Sequence, residues 1–109
     1  MSLKDKHCGP CEGEIDKLTK EQAQDMMLHV PQWKLSEAGD RLTRSYVFKD
    51  FAKALAFVNQ VGELAEKEWH HPDISFGWGR VDITVSTHSI RGLAENDFIL
   101  ASKIDTLLP

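Results

Sequence analysis

Three of the five histidines in this 109-residue chain fall in its second half, where His70 and His71 adjoin and His88 follows. Unperturbed imidazole titrates at about pH 6.5, so each can give or take a proton under neutral conditions. Glu66 stands four residues before His70, and on a helix that spacing sets carboxylate and imidazole on one face, within hydrogen-bonding reach. His88 follows Ser86 and Thr87, and a further carboxylate, Asp97, comes soon after. Such a set can support two chemistries. One is general acid–base catalysis, in which a pair of imidazoles moves protons to and from a bound molecule. The other is a metal centre, with Glu66, His70 or His71, and His88 offering a carboxylate and two imidazoles to zinc or iron(II). Adjacent histidines at a helix end point in different directions and do not readily share one ion. The acid–base reading is therefore preferred, with no metal.

Regular elements must bring these residues together. Thr19 and Gln22 have capping-box spacing, and Ala23, Met26, Met27 and Val30 then recur at helical intervals, which predicts a first helix over residues 20–29, before Pro31. Trp33 and Leu35, then Leu42, Tyr46 and Phe48 beyond a turn at residues 37–40, predict a hairpin whose alternation Arg44 interrupts. Asp50 is a suitable N-cap for a long helix carrying Phe51, Ala54, Leu55, Val58, Val61, Leu64 and Ala65 on one stripe and ending just before Pro72. His70 and His71 then sit at its end. A second hairpin follows, with Ile74, Phe76 and Trp78 alternating in one strand and Val81, Ile83 and Val85 in the other. It leaves His88 at the rim of the sheet. Leu93, Phe98, Ala101, Ile104 and Leu108 fall on one side of a last helix, in which Asp97 is early enough to face the preceding loop. The expected architecture is a single α+β domain, a four-stranded antiparallel sheet with three helices on one face, in the order α-β-β-α-β-β-α. Residues 18–109 would form it, behind a polar N-terminal tail at residues 1–17.

Composition narrows the field. The chain is 41% hydrophobic and 28% charged, and its 13 Lys and Arg are scattered among 17 Asp and Glu, for a net charge of −4. No basic stripe exists for direct nucleic-acid binding, and no apolar run is long enough to cross a bilayer. The first residues lack the apolar stretch of a signal peptide, which points to the cytoplasm. Cys8 and Cys11 could be half a zinc site, a redox pair or part of a solvated tail. A closed structural zinc site takes four ligands and there is no second cysteine pair, so the tail reading, with reduced thiols, is preferred. His7 and His29 join no pattern.

Spacing adds a resemblance. Three residues separate Glu66 from His70-His71-Pro72, five separate Pro72 from Trp78, nine separate Trp78 from His88, and eight separate His88 from Asp97. This array resembles the signature of the pterin-4a-carbinolamine dehydratases, and Trp33 and residues 48–57 are similar to that family's hairpin-to-helix junction. The resemblance implies a substrate, the 4a-hydroxytetrahydropterin (4a-hydroxytetrahydrobiopterin) left by an aromatic amino acid hydroxylase, and links the chain functionally to such an enzyme. The products would be quinonoid dihydropterin and water, formed without metal or organic cofactor. Departing hydroxide needs a proton and the neighbouring ring nitrogen must lose one, so an acid and a base suffice. On this reading His70 is the main acid or base, oriented by Glu66, with His88 its partner across the ring and His71 binding or polarising the substrate. Asp97 would support a neighbouring site residue or bind the ring, and Trp78 and Trp33 would wall the pocket, although a tryptophan in an alternating strand is more often core. Open strand edges suggest a homodimer or homotetramer. A non-catalytic reading stands beside this one: a module that steadies a partner's oligomeric state, as animal relatives of the family do for a homeodomain transcription factor.

Overall fold

The computed structural model describes residues 3–5 and 17–108. Thr19 caps α1 (Lys20–Met26) through the expected capping box with Gln22, and one tighter 3-10 turn, Met27–His29, completes the segment expected to be continuous helix. β1 is only Lys34–Leu35, paired with β2 (Leu42–Val47). Asp50 accepts the Lys53 backbone N–H at 2.8 Å and starts α2 (Phe51–Glu68). β3 (Asp73–Gly77) and β4 (Arg80–Val85) form the second hairpin, and α3 (Glu95–Asp105) ends the fold. In the two-residue turn of that hairpin Gly79 has φ 69°, and an added Cβ would stand 2.9 Å from the Phe48 carbonyl oxygen.

Both hairpins are antiparallel, as short connections require, and β2 also pairs with β4, giving the order β1-β2-β4-β3. Alternation sends Leu42 and Tyr46 of β2, with Val81, Ile83 and Val85 of β4, into the core beside Ala54, Phe57 and Val61 of α2 and Phe98, Leu100, Ala101 and Ile104 of α3. The helices thus cover one face, while Thr43, Ser45 and Val47 face outward and are exposed. Among the described residues, no helix is long and apolar enough to cross a membrane.

Arg44, the break in the alternation of β2, points inward with its neighbours. Its Nη1 lies 2.6 Å from Asp105 Oδ1 at the end of α3, and its guanidinium lies over the Tyr46 ring at 4.5 Å. Trp33 Nε1–H donates to the same Asp105 oxygen at 2.8 Å. One carboxylate therefore fastens α3 both to β2 and to the segment entering β1. The start of the chain also docks. A 3-10 turn at Leu3–Asp5 places Leu3 in the core, and Lys103 Nζ donates to the Lys4 carbonyl at 2.9 Å. Leu3, which lies in the stretch expected to be a polar tail, thus supplies apolar area that the core takes up. Cys8 and Cys11 lie outside the described residues.

Candidate active site

The site is set by the way α2 stops. Trp69 is left-handed, at φ 52° and ψ 42°, and its backbone N–H reaches the carbonyls of Ala65 and Glu66. Beyond such a residue the helical step of 100° no longer applies, so the relation between Glu66 and His70 predicted from spacing fails. His70 turns inward and is 5% exposed, with Nε2 lying 2.6 Å from Asp97 Oδ1. Glu66 instead meets His71, Oε2 to Nε2 at 3.3 Å.

Asp97 belongs to the first turn of α3 and has no exposed surface. Its Oδ2 accepts the Thr87 hydroxyl at 2.7 Å and the Ala94 backbone N–H at 2.9 Å. With both oxygens accepting, the His70 Nε2–H is the donor of the third bond. A buried carboxylate is thereby satisfied by three groups from three parts of the chain. Asp97 was expected either to support another site residue or to bind the ring, and its burial and bonds fit the first of these, as the holder of His70. Thr87 is the participant that sequence reasoning missed as a site residue. Its only signal was its place between an alternating strand and His88.

His71 is half exposed and opens on a cleft of about 740 Å³ between α2 and β3, lined by residues including Val58, Gly62, Glu66, Pro72 and Ile74. His88 begins a single 3-10 turn, His88–Ile90, closed by the left-handed Arg91 at φ 50°. It is exposed, stands 3.9 Å from Asp73 Oδ2, and opens on a second cleft of about 440 Å³ that includes Thr84, Ser86, Thr87 and Arg91. Asp73 and Ile74 are successive residues of β3 whose side chains take opposite faces, so the two clefts flank the start of that strand. His71 and His88 do not line one cleft. His70 connects to both sides: by the peptide bond to His71, and through Asp97 to Thr87, which lines the second cleft.

The two tryptophans expected as walls lie elsewhere. Trp33 is buried against Asp105, and Trp78 is exposed in the turn between β3 and β4 and lines neither cleft. Strand β3 ends at Gly77, so the alternation that would have turned Trp78 onto the sheet stops one residue short of it. The donor set for a metal is also dispersed. Among the described residues, no group of three or more His, Cys, Asp or Glu is placed to hold an ion.

Known proteins share this sequence and this fold. The family described as Pterin 4 alpha carbinolamine dehydratase matches residues 16–107. Two bacterial relatives carry the name "Putative pterin-4-alpha-carbinolamine dehydratase". The one from Methylococcus capsulatus is 50% identical over 106 residues, covering 97% of this chain and 93% of its own. The one from Halorhodospira halophila is 48% identical over 107 residues, covering 98% of each. Among solved structures, a transcriptional coactivator/pterin dehydratase from Brucella melitensis superposes with a TM-score of 0.79 at 33% identity, over 86% of this chain and all of that one. A pterin dehydratase-like protein identified as a RuBisCO assembly factor in the alpha-carboxysome gives 0.60 at 26% identity, over 70% of this chain and 88% of that one. The match runs the length of the domain and includes the stretch from Glu66 to Asp97 that builds the site, and the chain belongs to the pterin-4a-carbinolamine dehydratase family.

Proposed function

We propose that this protein dehydrates a 4a-hydroxytetrahydropterin to quinonoid dihydropterin by histidine acid–base catalysis, restoring the cofactor pool of an aromatic amino acid hydroxylase in the cytoplasm. The C–O bond at the carbinol carbon breaks, the leaving hydroxide takes a proton to become water, and the adjacent ring nitrogen gives up its proton as a C=N bond forms. His70 carries one of these transfers. Asp97 holds its ring in place. His88 is the partner for the other transfer, and His71, steadied by Glu66, binds or polarises the substrate. Two hydroxyl epimers present their leaving group to opposite faces of the ring, so a set of histidines can serve each with a different donor. Positioned acids and bases contribute about 10²- to 10⁴-fold each, enough for a reaction that needs only proton movement.

The observation that carries this reading is the buried His70–Asp97 pair, flanked by two accessible imidazoles, in a member of this family. The test is a stopped assay on freshly generated 4a-hydroxytetrahydropterin, with and without the protein. Dehydration no faster than the uncatalysed rate would sink the proposal. Treatment with a chelator should leave the rate unchanged, whereas a loss restored by zinc or iron would favour the metal reading. The two solved relatives, one described as a transcriptional coactivator/pterin dehydratase and the other as a RuBisCO assembly factor, favour a second reading, coactivation or assembly, which capture of a protein partner without turnover would support. Among the described residues strand β3 is an unpaired sheet edge, and we propose that pairing of identical edges makes the protein an even-numbered oligomer. A monomer at micromolar concentration by light scattering would refute that.

A further inference from the structure

The left-handed position that ends α2 usually falls to glycine or asparagine, because a Cβ crowds the backbone there. In this chain it holds tryptophan, the bulkiest side chain, and the indole is 69% exposed. Burial of the ring therefore does not offset the backbone cost. The residues on either side, Glu68 and His70, are both buried, so the turn drives its neighbours inward and the indole outward. The indole meets the His71 imidazole edge-on, with ring centroids 5.1 Å apart at 78°, and Glu66 engages the same imidazole at 3.3 Å. A strained residue kept beside a candidate site, with an aromatic face open to solvent, is a reason to look for a ligand that uses the face.

We infer that Trp69 is a substrate-binding and positioning residue of this site: its indole offers a flat face to the pyrimidine half of the pterin and fixes the ring of His71 against Glu66. The inference rests on the pterin reading above and adds to it a residue that is not one of the signature positions. It also explains the placement of a large aromatic at a position whose backbone favours none. Stacking of a flat heterocycle on an indole is independent of the substituent the pterin carries, so Trp69 selects for the ring system and not for the side chain.

The experiment compares full-length wild-type protein with Trp69→Gly, Trp69→Ala and Trp69→Phe. Dihydrobiopterin, a stable pterin without the 4a-hydroxyl, is the binding probe, read by calorimetry, beside turnover and thermal melting. Trp69→Gly relieves the backbone and should raise Tm by about 3–8 °C. The same variant, and Trp69→Ala, should weaken dihydrobiopterin binding and raise KM by about tenfold or more, as loss of a stacked ring does, with kcat changed less than about threefold. Trp69→Phe should restore most of the binding. A more stable variant that binds the pterin less well cannot be explained by damage to the fold. Wild-type affinity in Trp69→Gly, or a loss that follows a fall in Tm or a change of oligomeric state, overturns the inference. If wild-type protein neither binds dihydrobiopterin nor turns over the carbinolamine, the functional reading itself fails, an outcome separate from equal binding by all four proteins.

Discussion

Two carboxylate–imidazole pairs of like chemistry sit a residue apart in this molecule, and their surroundings make them different objects. His70 and Asp97 are 5% and 0% exposed and meet at 2.6 Å, whereas His71 and Glu66 are 50% and 69% exposed and meet at 3.3 Å. Water competes for and screens the second pair, and exposed pairs of this kind contribute about 0–1 kcal/mol. It is largely kept from the first. Removing one partner there strands a buried polar group, at about 3–5 kcal/mol. The fold therefore depends on the inner pair and tolerates change in the outer one, which leaves His71 available to a substrate.

The sharpest way to break this contrast is Asp97→Ala, which should destabilise the protein by about 3–5 kcal/mol in urea unfolding, since His70, Thr87 and Ala94 all lose their acceptor. A cost below about 1 kcal/mol would show that burial is not what separates the pairs. Next in size, His70→Ala should lower kcat by about 10²- to 10³-fold in the carbinolamine assay, and His88→Ala in combination should remove most of what remains, non-additively if the two act as a unit. His71→Ala should act mainly on KM, by about tenfold, and shift stability by less than about 0.5 kcal/mol. Normal turnover in His70→Ala with lost turnover in His71→Ala would reverse the proposed roles. The smallest effect sharpens the contrast from the other side. Among the described residues the Tyr46 hydroxyl is buried without a hydrogen-bond partner, the Arg44 guanidinium lies over its ring, and burial pushes the phenol well above the usual tyrosine range. Tyr46→Phe should keep the ring contacts and stabilise the protein by up to about 1 kcal/mol, the opposite sign to Asp97→Ala.

Local signals were the legible ones. The capping box at Thr19, the cap at Asp50, the alternation of β4 and the apolar stripe of α2 each need only a few neighbouring residues, and together they yield the element order and the sheet. The pairing of β2 with β4 joins distant segments and left no local mark. Within the site, the His70–Asp97 contact spans 27 residues, and no spacing rule reaches that far. The partner of Glu66 was misread for a physical reason. A helix end in the left-handed conformation is ordinarily announced by glycine, and here tryptophan hides it, so the i, i+4 rule was carried one residue too far. Arg44 offered a usable clue, since a charged residue on the inward side of a strand needs a distant counter-charge, supplied by Asp105.

Asp97 in the first turn of α3 closes the site, and Asp105 in its last turn ties the helix to Arg44 and Trp33. On a ribosome, then, the nascent chain can have emitted His70, His71, His88 and all four strands of the sheet and still lack the carboxylate that holds His70. Competence comes only when the final helix has emerged and docked. The coupling also runs in reverse: a fluctuation that releases α3 takes the His70 anchor and the sheet clamp away together, so hydrogen exchange in α3 and loss of catalysis should share one opening free energy.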